Sequence, residues 1–152
     1  MKETLIFRAR NKVKAADYML TQTYPLIKDP KILVSVINNL FKGCNYAMFS
    51  VLNFERTYKR VPFFSTNFEQ AYSLFKHRVS PRYNFNKEEV RILRILNDII
   101  REHKSSPIEF SRKDKFVICN DSYQMRTINV SQIKKYINLG KLLVLHCEEI
   151  LE

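Results

Sequence analysis

Glycine is almost missing from this chain: Gly43 and Gly140 are the only two among 152 residues. Loops that cradle a phosphate or a dinucleotide need several glycines close together, because backbone N–H groups must approach the anion without an intervening side chain. P-loop and dinucleotide-fold chemistry is therefore excluded. Five prolines, no tryptophan and so little glycine also rule out collagen-like repeats, low complexity and long flexible linkers. Cysteine is scarce too. Cys44, Cys119 and Cys147 are an odd number, far apart, without a Cys-x-x-Cys pair. A secreted disulfide scaffold needs denser, paired cysteines, so each is expected to be a buried thiol among its apolar neighbours. There is no His-Glu-x-x-His and no acidic calcium loop, so spacing supports no ordinary metal site, and no cofactor is expected. His146 and Cys147 are adjacent, which on a helix points them about 100° apart. A packed cysteine beside a half-exposed histidine is the expectation there. No apolar run approaches roughly 18 residues, so no bilayer-spanning helix and no membrane partner is expected. The opening Met1-Lys2-Glu3-Thr4-Leu5 lacks an apolar signal core, which points to the cytoplasm.

What the sequence holds in excess is positive charge. Lys and Arg number 26 against 15 Asp and Glu, a net +11. The excess is uneven: residues 1–85 carry 14 cations against 5 acids, or +9, and residues 86–152 carry 12 against 10, or +2. A field concentrated on one half attracts polyanions better than the same charge spread evenly. Hydrophobic residues make up 45%, enough for one core, and residues 1–152 are expected to form a single helical domain.

Periodicity predicts five helices. Leu5, Ile6, Ala9, Val13, Ala16 and Leu20 draw one apolar stripe from about Lys2 to Thr23. Pro25 should bend or end that helix, and Tyr24 before it should turn extended. Asp29-Pro30 is a cap followed by proline at the first helical position. It opens a long helix to about Arg60, carried by Ile32, Val36, Ile37, Leu40, Cys44, Ala47, Met48, Val51 and Leu52. Gly43 within it costs about 1 kcal/mol relative to alanine, tolerable where another helix crosses closely. Thr66-Asn67-Phe68-Glu69 reads as a capping box for a third helix to Val79. Asn86-Lys87-Glu88-Glu89 opens a fourth, and Ser131 is the expected cap of a fifth. Glu88/Glu89 and Glu148/Glu149 read as solvated surface. Phe116-Val117-Ile118-Cys119, a turn at Asn120-Asp121-Ser122, and Tyr123 to Ile128 read as a β-hairpin. A lone hairpin is marginal in water, so it must lie on the helices or pair with another chain. The fold class is mainly all-α: a five-helix bundle with a small hairpin between helices 4 and 5.

One segment combines cations with rings. Between Arg56 and Phe85 lie Arg56, Lys59, Arg60, Lys76, Arg78 and Arg82, with Glu69 as the single acid. Tyr58, Phe63, Phe64, Phe68, Tyr72, Phe75, Tyr83 and Phe85 are interleaved. Cations neutralise phosphates while ring faces stack on unpaired bases, which suits single-stranded nucleic acid. The ordinary structural explanation is that cations favour helix C-termini and that rings at helical spacing fill the core. Six phosphate contacts would give a slope of log affinity against log salt of about −4.

The helical order, with a long second helix and a later basic helix ending in His103, resembles small prokaryotic proteins of the HEPN class. Those are helical bundles, often dimers, and many are metal-independent ribonucleases or toxin partners. The resemblance implies a homodimer and a site of an arginine, usually followed by a polar residue, with a histidine a few residues on. This chain departs from that pattern. Arg94 precedes Ile95 and stands nine positions before His103, and Arg101 stands two before it. The stretch from Glu109 to Met125 also resembles a block of small archaeal proteins and implies no activity. Three functions follow as expectations. The first is a non-catalytic RNA- or single-strand-binding protein, or a ribonucleoprotein subunit. The second is a HEPN-type ribonuclease or toxin–antitoxin component, with His103 as general acid or base and Arg94 or Arg101 stabilising the phosphorane. The third is a helical interaction module for an acidic protein, added through the hairpin edge.

Overall fold

The longest apolar stripe makes the spine. Helix α2 (Pro30–Thr57) starts where Asp29 accepts a hydrogen bond from the Lys31 N–H at 3.0 Å. Leu33, Val36, Ile37, Leu40, Cys44, Ala47, Met48, Val51 and Leu52 are all buried along it. Fully burying such a side chain is worth roughly 1.5–3 kcal/mol, far more in sum than the penalty at Gly43. The computed structural model describes residues 4–106, 108–112, 114–119, 122 and 124–152, with 108–112 described by the backbone path. Among these residues four further helices surround the spine, and all touch it.

Helix α1 (Leu5–Tyr18) is capped by Thr4 and buries Ala9, Val13 and Ala16 against α2. The expected start at Lys2 lies outside the described residues. Its end corrects the reading of Pro25. Tyr24 is helical (φ −59°, ψ −44°), and the chain passes through a π-helical turn, Met19–Thr23, into a last turn, Tyr24–Ile27. The wider turn relaxes the clash between a proline ring and the carbonyl four residues back. Lys28, at φ 58°, then ends the helix. The close crossing expected at Gly43 is present: a Cβ there would lie 2.9 Å from the Ala9 carbonyl oxygen and 2.7 Å from Val13 Cγ2.

Helix α3 (Phe68–Leu74) continues through a second π-helical stretch, Phe75–Val79. Its cap is Asn67, which accepts from the Gln70 N–H at 3.2 Å, and not Thr66. The Gln70 side chain accepts from the Ser65 N–H instead of closing a box on the cap. Helix α4 (Lys87–Ser105) starts at Asn86 as expected, with Glu88 and Glu89 in the first turn, and buries Val90, Ile92, Leu93, Leu96 and Ile99. Helix α5 (Val130–Leu151) has its cap two residues before the expected one. Asn129 and Gln132 form a complete capping box, leaving Ser131 inside the first turn.

Between α4 and α5 the expected hairpin is formed by β2 (Lys115–Cys119) and β3 (Met125–Asn129), antiparallel with Phe116 opposite Ile128. Its turn residues Asn120, Asp121 and Tyr123, and Pro107 at the end of α4, lie outside the described residues. A strand not expected from the sequence, β1 (Ile108–Arg112), pairs with β2, making β2 the centre of the sheet order β1-β2-β3. Phe116, Ile118 and Ile128 lie against Leu33, Ile37, Ile99 and Ile133 of the helices. Polar ties hold the sheet as well. Arg126 grips Glu102 of α4 with bonds of 2.7 and 3.1 Å. The Tyr24 hydroxyl donates to Asp114 at 2.8 Å, and burial together with that bond pushes the phenol up to about 12.

Candidate nucleic-acid interface

The end of α2 is where the basic segment takes shape. Lys59 adopts a left-handed conformation (φ 59°), which lets the Lys59 N–H bond the Arg56 carbonyl and the Arg60 N–H bond the Glu55 carbonyl, each at 2.9 Å. This is the 6→1 and 5→2 pair of a Schellman ending, with lysine where glycine is usual. The turn folds Arg60 back onto the helix it has just left. There its Nε and Nη2 meet Glu55 Oε2 at 2.8 and 2.7 Å.

Glu55 is the residue the sequence reading passed over, one position before the basic segment. Its side chain is 1% exposed. The Tyr83 hydroxyl donates to the same oxygen at 3.0 Å, and Arg82 Nε stands 3.6 Å from the other. A buried carboxylate without partners would be costly by several kcal/mol. Here two guanidinium groups and a phenol surround it, and the hydrogen bond to Glu55 holds the Arg60 guanidinium above its ordinary value. Glu55 follows Met48, Val51 and Leu52 at helical spacing on the buried stripe. An acid on an apolar stripe was the signal available in the sequence.

Four of the six expected cations share one groove. Arg56, Lys59 and Arg60 from the end of α2, and Arg78 from the end of the α3 extension, line an open groove of about 640 Å³ with Val61, Pro62 and Phe63. Phe63 is 82% exposed, and Arg56 lies over its ring at 5.0 Å. Tyr58, 58% exposed, carries Arg60 over its face at 4.7 Å. Among the described residues, no carboxylate pairs with Arg56, Lys59 or Arg78. The ends of the two helices thus converge. Arg82 does not line this groove and reaches the cluster through Glu55. Lys76 turns away onto a separate groove with Tyr72, Ser80, Lys87, Val90, Arg91 and Arg94. Of the eight rings, Phe64, Tyr72, Phe75 and Phe85 are buried. Phe68 stacks on Tyr72 at 5.4 Å as part of the packing.

The chain matches no protein-family model, no curated protein and no solved structure. Function must come from the site.

The residues expected for catalysis are held apart. Arg94 forms a two-pronged pair with Glu69 at 2.6 and 2.7 Å and lies over the Tyr72 ring at 4.9 Å. That bond holds the Glu69 carboxyl below its ordinary range. Arg101 meets Asp98 at 3.3 Å. His103 lines the apolar crevice under the sheet, edge-on to Phe116. Nine residues of α-helix place Arg94 and His103 on opposite faces, about 13 Å apart along the axis. Among the described residues no group of three or more His, Cys, Asp or Glu is placed to hold a metal ion, and no helix is long and apolar enough to cross a membrane.

Cys147 is buried beside a half-buried His146, as expected. Glu89, expected as solvated surface, is not: its side chain is 13% exposed and meets His146 Nδ1 at 3.1 Å. His146 Nε2 faces the Tyr83 carbonyl at 3.0 Å, and the imidazole stacks on Phe85 at 3.9 Å. Both ring nitrogens thus have an oxygen within hydrogen-bond distance. His146 and Glu55 therefore hold Tyr83 from two sides, by its backbone and its hydroxyl. This fixes the loop between α3 and α4 that carries Arg82.

Proposed function

We propose that this protein binds single-stranded RNA without cleaving it, through the groove between the ends of α2 and the α3 extension. The observation that carries this reading is the meeting of Arg56, Lys59 and Arg78 with the exposed Phe63 ring in one open groove. Uncommitted cations attract phosphates, and an exposed ring offers a face for an unpaired base; a duplex would present no such base. RNA is favoured over an acidic protein because an acidic protein does not need the ring.

The test is binding of a short oligoribonucleotide across a salt series. Lys76 faces the other groove, and Arg60 and Arg82 share one carboxylate, so the cluster offers about four net charges, not six, and the slope of log affinity against log salt should be about −3. Phe63→Ala should weaken binding by roughly 1–3 kcal/mol at any salt, and RNA incubated in EDTA should stay intact. Affinity indifferent to salt, or unchanged in Phe63→Ala, would remove the reading. Cleavage in EDTA would favour a metal-independent nuclease instead.

A further inference from the structure

Lys76 and Arg78 are two residues apart on the same π-helical stretch, yet they open onto different grooves. The stretch Phe75–Val79 is thus a rib with a basic groove on each flank, and exposed His77 lies between the two cations. The second groove measures about 580 Å³ and is lined by Lys76, Lys87 and Arg91, with Arg94 at its wall. Lys76 and Lys87 have no carboxylate partner among the described residues, and Arg91 has only a loose one, Glu88 at 3.9 Å. The two grooves differ in chemistry. The first has an exposed ring. Among the described residues that line the second, the one ring is Tyr72, which is 7% exposed and cannot offer a face to a base. A groove with cations and no accessible ring suits phosphates and ignores bases.

We infer that the two grooves form one track for a single strand that crosses the rib. Bases stack at Phe63 on one side, and backbone phosphates are held by Lys76, Lys87 and Arg91 on the other. This rests on the RNA-binding reading and adds a requirement for length. A strand that fills only the first groove gains nothing from the second.

The experiment compares oligouridylates of about 5 and about 15 nucleotides, lengths near the two ends of the range of single-strand site sizes, on the full chain and on a triple variant, Lys76→Gln, Lys87→Gln and Arg91→Gln. All three side chains are exposed, and circular dichroism checks that the variant is folded. Wild type should bind the longer strand at least about tenfold more tightly, with a salt slope steeper by about 2 from three added phosphate contacts. The triple variant should lose that advantage and keep wild-type affinity for the short strand, whereas Phe63→Ala should weaken both lengths alike. A triple variant that keeps the full length advantage overturns the track and leaves the first groove standing. Equal loss on both lengths also overturns it, because the cations then act as a general field. If wild type binds neither length, the RNA-binding reading itself fails and the track fails with it.

Discussion

Lys59 sits in a left-handed conformation that an L-residue adopts at a penalty of about 1 kcal/mol and glycine adopts at almost none. The same turn orients Arg60 onto Glu55 and leaves the Lys59 ammonium on the groove. Keeping a lysine there sacrifices stability for a side chain, a trade common where a surface works rather than merely closes the fold. Lys59→Gly should therefore raise stability by about 0.5–1 kcal/mol, read from urea unfolding, and lower RNA affinity, read from a salt slope shallower by about 0.7. A variant that is less stable than wild type would show that Lys59 serves the fold. At this scale the sequence was a partial guide. Composition singled out the six cations, but charge counting could not tell which would be spoken for. That was decided by Glu55, whose place on the α2 stripe buries it and draws in Arg60 and Arg82.

Periodicity located every helix, because a 3.6-residue stripe reports which face is buried whatever its partner. The caps were less legible. Ser131 and Thr66 are good cap residues by type, but in both helices the chain uses a neighbouring asparagine followed three positions later by glutamine: Asn67 with Gln70, and Asn129 with Gln132. Asn129→Ala should lower stability by about 1 kcal/mol in thermal or urea unfolding, and Ser131→Ala should change it little; the reverse order would overturn the assignment of the cap. Strand β1 is hard to read because its alternation, Ile108-Glu109-Phe110-Ser111, covers four residues between Pro107 and the charged run Arg112-Lys113-Asp114-Lys115, the lower limit of what marks a strand. The glycines make the second test of the packing. Alanine at 43 would press its Cβ on the Ala9 carbonyl of α1, which cannot yield without moving that helix. Alanine at 140 would meet chiefly Leu40 Cδ1 at 2.7 Å, the tip of a side chain that can turn. Helix propensity gains about 1 kcal/mol in both. Gly43→Ala should thus be destabilising by roughly 1–2 kcal/mol and Gly140→Ala close to neutral, in the same urea measurement.

For the molecule as a whole, the titration of the buried thiols and of Tyr24 sets an alkaline limit. Cys44 and Cys147 are both fully buried on facing helices. Burial pushes the Cys44 thiol from an ordinary value near 9.0 up to about 12. It pushes Cys147 well above its ordinary value, with the nearby Cys44, Glu89 and Glu148 adding to the effect. Tyr24 moves from near 10.0 to about 12 for the same first reason, burial, helped by Asp114. In each case the folded state holds its proton more tightly than the unfolded chain does. The stability these groups contribute is therefore complete below the unfolded values and drains away as pH rises from about 9 towards 12, since the unfolded chain then binds fewer protons than the native one. Each shifted group steepens the decline by at most about 1.4 kcal/mol per pH unit. Urea midpoints, taken with reductant between about pH 8 and pH 10.5, should hold steady at the lower end and then fall. Cys44→Ala should start from lower stability, because it leaves a small cavity, yet decline with a visibly gentler slope. A midpoint flat across that range, or a slope indifferent to the loss of Cys44, would mean that the thiols titrate alike in both states and that the α2–α5 interface admits water.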